Sequence, residues 1–308
     1  MWFKQSTLLK LSAPVPFETT TLSEQLAPLA FTPCLPSLAT SYGWAPPQDE
    51  EHAPLVVGAN GYLLLSMQTE EKILPASVVR HSTQVRVKEI ENQEMRQVGA
   101  SERRRLKDDI TAMLLPRAFS KYSHTMAVID CQNGWLILNT TQLAKIEKFV
   151  KLFHRCTSIQ AQPVETKKIS ALLTYWLTES AFPDGLSVET SGVLRDPRQQ
   201  ARTIRCKNQD LSATGIQSLL KDGCEIHELG LIWQDRVTFN LVDDFTLKSI
   251  RYDEKLLSLA ESDDTEAPEQ QFYSDFMIMS DNLQQLWQLL MSELSMDAST
   301  HSLKRVAA

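Results

Sequence analysis

The chain has 308 residues, with 31 Lys plus Arg against 38 Asp plus Glu and a formal net charge of −7. Apolar residues make up 43 % and charged residues 22 %, which excludes a disordered or collagen-like chain and allows one large or two smaller packed domains. Taken as a sum, the acidic balance argues against nucleic acid as a partner, because phosphate binding normally leaves a basic footprint.

The longest uncharged stretch, Gln25 to Gln48, is interrupted by Pro28, Pro33, Pro36, Pro46 and Pro47, so it cannot form a membrane-spanning helix. The N-terminal segment lacks the apolar core of a signal peptide and carries Lys4 and Lys10. Cys34, Cys131, Cys156, Cys206 and Cys224 include no C-x-x-C pair, so reduced thiols in a cytoplasmic protein are expected.

Trp2 to Leu11 reads as a strand. Thr21 and Glu24 make a capping box ahead of Leu22, Leu26 and Leu29, which starts a short helix. A Pro-rich loop follows. Leu55 to Ser66 reads as two strands around Asn60-Gly61, the favoured hairpin turn. Pro75 suits the first turn of a helix, and residues 76 to 97 are mostly polar and charged. A break at Gly99-Ala100-Ser101 restarts a second helix that runs to Leu115. A polar helix pair of this kind is a solvated projection or a surface for a charged partner.

Met126–Asp130 and Trp135–Leu138 form a hairpin around Asn133-Gly134. Thr140 caps a helix with Leu143, Ile146, Phe149, Val150 and Phe153 on its apolar face. Lys168 to Ser180 is a third helix. Strands are expected near 186–194 and 201–206. A helix from Ser212 ends at Gly223, and a meander covers 224–233, 236–242 and 246–252. An acidic linker spans 259–270, and a last helix starts at Ser280 with Leu283, Leu286, Trp287, Leu290 and Leu294. Strands and helices mix without regular β-α-β alternation, so the expected class is α+β, with mixed antiparallel sheets, packed helices and a projecting polar helical segment. The expected regions are 1–75 with 115–165 as an N-terminal α+β unit, 76–114 as the charged helical projection, and 166–308 as a C-terminal α+β unit with an acidic tail.

The global charge hides a segregation. Residues 1–79 carry 3 basic and 7 acidic side chains, residues 80–168 carry 16 and 9, and residues 169–308 carry 12 and 22. The middle segment, with a net +7, contains Arg80, Arg86, Lys88, Arg96, Arg103, Arg104, Arg105, Lys107, Arg117 and Lys121. Such a run forms either a solvated face with i,i+4 ion pairs or a basic surface for phosphates, and charge alone does not choose.

Catalytic motifs are scarce. The sequence has no P-loop, no G-x-G-x-x-G, no G-x-S-x-G and no H-E-x-x-H. Glu70-Glu71-Lys72 matches the E-x-K half of a metal-dependent nuclease site. Asp49 upstream could share a Mg²⁺ with Glu70 while Lys72 steadies the attacking water.

Several strings converge on one family. They are Trp2-Phe3-Lys4, LAFTPC at Leu29 to Cys34, GWAPP at Gly43 to Pro47, EEKILP at Glu70 to Pro75 and LLPRAFS at Leu114 to Ser120. KNQDL at Lys207 to Leu211, LIWQDRVTF at Leu231 to Phe239 and Asp275-Phe276 follow in the same order. Together they resemble the bacterial recombination-associated RdgC family along nearly the whole chain.

That resemblance implies a non-catalytic protein without a cofactor. It implies a ring-shaped homodimer that encircles double-stranded DNA without sequence preference, associates with the nucleoid and restrains RecA-promoted strand exchange. Encirclement needs cations that meet phosphates but no base-edge code. On this reading Lys72, Arg117, Lys121 and Lys207 contact phosphate and Gln209 donates to backbone oxygens, together with Arg80, Arg86, Lys88, Arg103 and Arg104 of the helical projection. Lys207 to Asp210 reads equally as a capped turn before a helix. Phe119 reads either as core or, by the resemblance, as a dimer contact.

Overall fold

The computed structural model describes residues 1–48, 53–166, 169–260 and 268–304. The chain begins with β1 (Ser6–Leu11), α1 (Thr19–Leu26), β2 (Thr40–Ala45), and the hairpin of β3 (Val56–Ala59) and β4 (Tyr62–Ile73). Helices α2 (Ala76–Glu94) and α3 (Ala100–Leu114) lead into β5 (Phe119–Asp130), β6 (Trp135–Leu138) and α4 (Leu143–Thr157). Then come β7 (Ala161–Pro163), α5 (Ile169–Glu179), β8 (Leu186–Asp196), β9 (Gln199–Cys206) and α6 (Thr214–Lys221). The meander of β10 (Glu225–Trp233), β11 (Val237–Val242) and β12 (Thr246–Tyr252) precedes α7 (Glu254–Ala260) and α8 (Pro268–Lys304).

Among the described residues all twelve strands join one sheet, in the order β2-β4-β5-β6-β1-β12-β11-β10-β8-β9, with β3 added to β4 and β7 to β1. Every strand pairing in it is antiparallel. The class is therefore α+β, as the element pattern predicts. Asn60 and Gly61 both have positive φ (49° and 83°), which the two-residue turn between β3 and β4 requires.

The period of two decides which core each side chain enters. In β4, Leu64 faces one apolar cluster while Leu63, Leu65 and Met67 face a second. Val128 of β5, Ile137 of β6 and Leu8 of β1 join the first cluster; their neighbours Ile129, Leu136 and Leu9 join the second. The second cluster is closed by Leu22 and Leu26 of α1 with Phe149, Leu152 and Phe153 of α4. The first is closed by α5, α6 and α8, with Trp176, Ile216, Phe276, Leu283 and Trp287 buried. The N-terminal half of the sheet is thus covered on both faces.

Several elements differ from the sequence expectation. Strand β1 starts at Ser6 rather than Trp2, and the N-cap of α4 is Gln142 rather than Thr140, whose hydroxyl accepts from Gln142 N–H (3.2 Å). Helix α1 starts two positions before Thr21; Glu18 is its N-cap residue and makes no capping bond, while Thr21 donates its hydroxyl to Glu18 from inside the first turn (2.8 Å). Three consecutive threonines are all good N-cap types, so composition could not choose among them. The Pro-rich loop contains strand β2. A Cβ at Gly43 would lie 2.6 Å from Phe31 Cα, so the glycine lets the Ala30–Phe31 segment cross the strand, where Phe31 N–H donates to the Trp44 carbonyl (2.7 Å). Strand β5 begins at Phe119 rather than Met126, because its outer half is polar and pairs with the equally polar end of β4. The last helix starts at Pro268 rather than Ser280, so the acidic linker does not extend to 270, and Ser280 is a buried mid-helix residue. Lys168, expected at the start of a helix, lies outside the described residues.

Trp287 should carry a large share of this packing. It is fully buried, sits edge-on to Phe245 with centroids 5.1 Å apart, and donates its indole N–H to Ser6 Oγ (3.1 Å). Trp287→Ala should lower unfolding free energy by about 3–5 kcal/mol in urea melts. Trp287→Phe should cost less but more than a surface change, since it leaves Ser6 without its donor.

Candidate nucleic-acid interface

Strands β4 and β5 run together over their full lengths, from Tyr62↔Asp130 to Ile73↔Phe119. The cores cover their inner halves, so the outer halves carry polar and charged side chains. At the end of this ribbon the chain turns into α2 and α3. These two helices pack mainly on each other, through Val79, Thr83 and Val87 of α2 and Ile110 of α3. At 19 residues, α2 is about 28 Å long.

Cross-strand register separates the predicted site residues by face. Lys72 lies opposite Ser120, and Glu70 opposite Tyr122, on one face. Glu71 lies opposite Lys121, and Ile73 opposite Phe119, on the other. Lys72 and Lys121 therefore point to opposite sides of the ribbon. Phe119 is 85 % exposed and its partner Ile73 50 %. Core packing is thus excluded for Phe119 within the chain.

The helical hairpin also splits its cations. Arg86 lines a groove with Val85, Leu106 and Met113, whereas Lys88 and Arg103 line a depression on the other side. Arg86 pairs with Glu89 (2.8 Å), and Arg103 approaches Glu91 (4.0 Å). Arg96, at the hairpin turn, engages Glu94 (2.6 Å) and both carboxylate oxygens of Glu102 (2.7 Å each). That contact holds the Glu102 carboxyl below its ordinary range. Arg80, Lys88, Arg104, Arg117 and Lys121 are exposed and make no ion pair with any described residue.

Lys207 and Gln209 are exposed at the far end of the sheet, in the turn after β9. Gln209 N–H donates to the Thr190 carbonyl of β8 (3.1 Å), and Asp210 accepts from the amide and hydroxyl of Ser212 (2.8 and 2.6 Å). The capped-turn reading of Lys207 to Asp210 is therefore realised, and it leaves the Lys207 and Gln209 side chains at the surface.

Glu70 is buried in a cage of donors. Its Oε1 accepts from Ser120 Oγ (2.5 Å) and its Oε2 from Cys34 N–H (2.6 Å). The Ser120 hydroxyl, then the Cys34 amide and, less strongly, Tyr122 and Lys72, hold its carboxyl below the usual range against the opposing effect of burial. The carboxylate thus fastens the LAFTPC segment over the ribbon. Asp49, the other carboxylate of the nuclease reading, lies outside the described residues. Among the described residues no His, Cys, Asp and Glu group is arranged to hold a metal ion.

Sequence reading overlooked one polar surface. Among the described residues, helices cover only one face of the sheet between β8 and β12. The uncovered face carries Arg195, Arg205, His227, Glu228, Asp243 and Lys248. The alternation of Val193-Leu194-Arg195 and of Ile204-Arg205-Cys206 is the signal that could have found it, since Leu194 and Cys206 are core residues.

The fold and these surfaces define a mixed α+β protein whose cations on a helical hairpin, on a strand ribbon and at a distant sheet end lack ion-pair partners among the described residues. A family model described as "Putative exonuclease, RdgC" matches residues 1–297. A recombination-associated protein RdgC from Pseudomonas putida (strain GB-1) is 34 % identical over 282 residues, covering 91 % of this chain and 92 % of its own. The protein of that name from Salmonella paratyphi B is 30 % identical over 300 residues, covering 97 % and 99 %. The chain belongs to the RdgC family, whose curated relatives are named recombination-associated proteins.

A lowered carboxyl pKa contributes stability above the unfolded-state value, and the contribution disappears as pH falls through the folded value. Glu70→Gln should therefore lower the melting temperature at about pH 7, and the gap to the unsubstituted protein should narrow as pH falls below the ordinary glutamate range. Thermal melts of both proteins from neutral to acid pH check this.

Proposed function

We propose that this protein binds duplex DNA without sequence preference, closes around it as a ring-shaped homodimer, and restrains RecA-promoted strand exchange by occupying DNA in the nucleoid. The observation that carries the reading is that six cations of the proposed contact set, Arg80, Lys88, Arg104, Arg117, Lys121 and Lys207, are exposed and lack a carboxylate partner among the described residues. They belong to a chain whose relatives are named for recombination. Cations free of carboxylates are the ones that can exchange counterions for phosphates. Lys72, Arg86, Arg103 and Gln209 complete the proposed contact set, with Arg86 and Arg103 leaving weak surface pairs that cost little to break. Phe119, with Ile73 beside it, is proposed as a dimer contact, because an exposed phenylalanine on a ribbon end gains from burial against a second copy. No described helix is long and apolar enough to cross a membrane.

The second reading, a Mg²⁺-dependent nuclease using Glu70, Lys72 and Asp49, is favoured by the description of the family model. The engagement of both Glu70 oxygens by Ser120 and Cys34 weighs against it, since a metal would have to displace them.

Duplex affinity should fall steeply with salt, with a log–log slope of about −0.9 for each phosphate neutralised. Arg117→Ala and Lys207→Ala each remove one cation from both protomers and should each reduce that slope by up to about 1.8, weakening unrelated duplexes alike in gel-shift titrations. A flat salt dependence would remove the proposal. Plasmid incubated with the protein and Mg²⁺ or Mn²⁺ should remain intact; cleavage abolished by chelator and by Glu70→Ala would establish the nuclease reading instead.

A further inference from the structure

The uncovered face of β8, β9 and β10 holds a cavity of about 540 Å³, floored by Val193 and Val242 and walled by Arg195, Arg205, His227 and Lys248. We propose that it binds a phosphomonoester group, carried either by a free nucleotide or by the end of a nucleic-acid strand. None of its lining residues is among the cations assigned to duplex contact, although Arg205 lies two residues before Lys207, and the proposal does not depend on encirclement.

Register brings the two arginines together. Arg195 lies opposite Thr203, and Val193 opposite Arg205, so the arginines are diagonal neighbours on one face. Diagonal partners of this kind stand about 7–8 Å apart, a gap that two guanidinium forks can close on one ligand. Thr203, opposite Arg195, adds a hydroxyl to the lining.

Two carboxylates, Glu228 and Asp243, also line the cavity against the three cations Arg195, Arg205 and Lys248, and each is hydrogen-bonded to a neighbour. Glu228 accepts from Asn240 Nδ2 (2.7 Å), and Asp243 is bonded to His227 Nδ1 (2.5 Å). Glu225, opposite Arg195 in the ladder, accepts instead from Ser170 of α5 (3.0 Å). Arg195, Arg205 and Lys248 form no ion pair with any described residue. Two like charges side by side on a sheet repel, and a bound dianion would reverse that repulsion. A phosphomonoester carries about −1.5 to −2 at neutral pH, against −1 for a backbone diester, so it matches this cluster better than a duplex phosphate does. Asp243 fixes the His227 ring through Nδ1, which leaves Nε2 as its free position for the ligand. The cavity also has the size of a small-molecule site.

Thermal unfolding of the full chain in rising inorganic phosphate, with chloride at matched ionic strength as reference, tests the site. Phosphate should raise the melting temperature saturably beyond chloride. Arg195→Gln with Arg205→Gln should weaken that response about tenfold or more. Arg251→Gln should leave it unchanged, because Arg251 is already paired with Glu189 (2.9 Å). Adenosine monophosphate and one short oligonucleotide with and without a 5′-phosphate then separate the sources. Preference for the phosphorylated oligonucleotide assigns the strand end, and equal competition by the mononucleotide assigns the free nucleotide. The double variant should keep its duplex affinity in gel shifts, which distinguishes this site from the proposed encirclement. Equal phosphate responses in the unsubstituted protein and the double variant, or an equal loss in Arg251→Gln, would overturn the proposal.

Discussion

Strand β1 is used along both edges, and the sheet is continuous because of it. One edge pairs with β6 over Thr7 to Lys10. The other is divided: Ser6 and Thr7 pair with β12, and Leu9 to Leu11 pair with β7. The residues entering β1 are tied to the C-terminal elements. Ile250 N–H donates to the Lys4 carbonyl (2.9 Å), Tyr252 OH to the Phe3 carbonyl (3.1 Å), and Trp287 N–H to Ser6 Oγ (3.1 Å). Thr7 Oγ1 donates to the Thr140 carbonyl at the entry to α4 (2.7 Å). These buried polar groups each need a partner, so their bonds fix one register for the strand. That register sends Leu8 and Leu9 into different cores, and a slip of one residue would exchange them.

Much of this architecture was legible in the sequence, and the exceptions have physical causes. The hairpin at Asn60-Gly61, the two polar helices after Pro75, the meander near the C-terminus and the apolar face of α4 all announce themselves by turn chemistry or periodicity. Strand β2 did not, because prolines on either side of it mimic a loop and its Gly43 serves a close backbone crossing. The outer half of β5 did not, because a strand held by cross-strand pairing without a core beneath it lacks the apolar alternation of a half-buried strand. Of the twelve residues of α8 before Ser280, the first three fell within the expected acidic linker, and Pro268 with Glu269 there read as a continuation of it although only Glu269 and Asp275 of the twelve are acidic.

The candidate surfaces were legible to a smaller degree. The net charge of −7 concealed the basic middle segment, and dividing the chain recovered it. Dividing the chain could not recover the faces. Lys72 and Lys121 stand one register step apart and point to opposite sides of the ribbon, and Arg86 and Lys88 do the same across the helical hairpin. The C-terminal segment carries 12 basic and 22 acidic side chains, yet its uncovered sheet face gathers Arg195, Arg205 and Lys248. Segment sums assign charge to lengths of chain, whereas a ligand meets charge by face.

Distance along the sheet constrains how a duplex could use these cations. From β5, which bears Lys121, to β9, which precedes Lys207, the ladder crosses seven strand spacings. At about 4.8 Å each, that is about 34 Å before twist shortens it. No single phosphate cluster is touched from both ends. One helical turn of B-DNA advances about 34–36 Å, so a duplex lying along the sheet would meet the two groups about one turn apart. A duplex crossing the sheet would meet only one group per protomer and would require a second copy to supply the other. The two arrangements place different numbers of cations on the DNA at once. Under the proposed function, the salt slope measured on the intact protein therefore reports which of them is used.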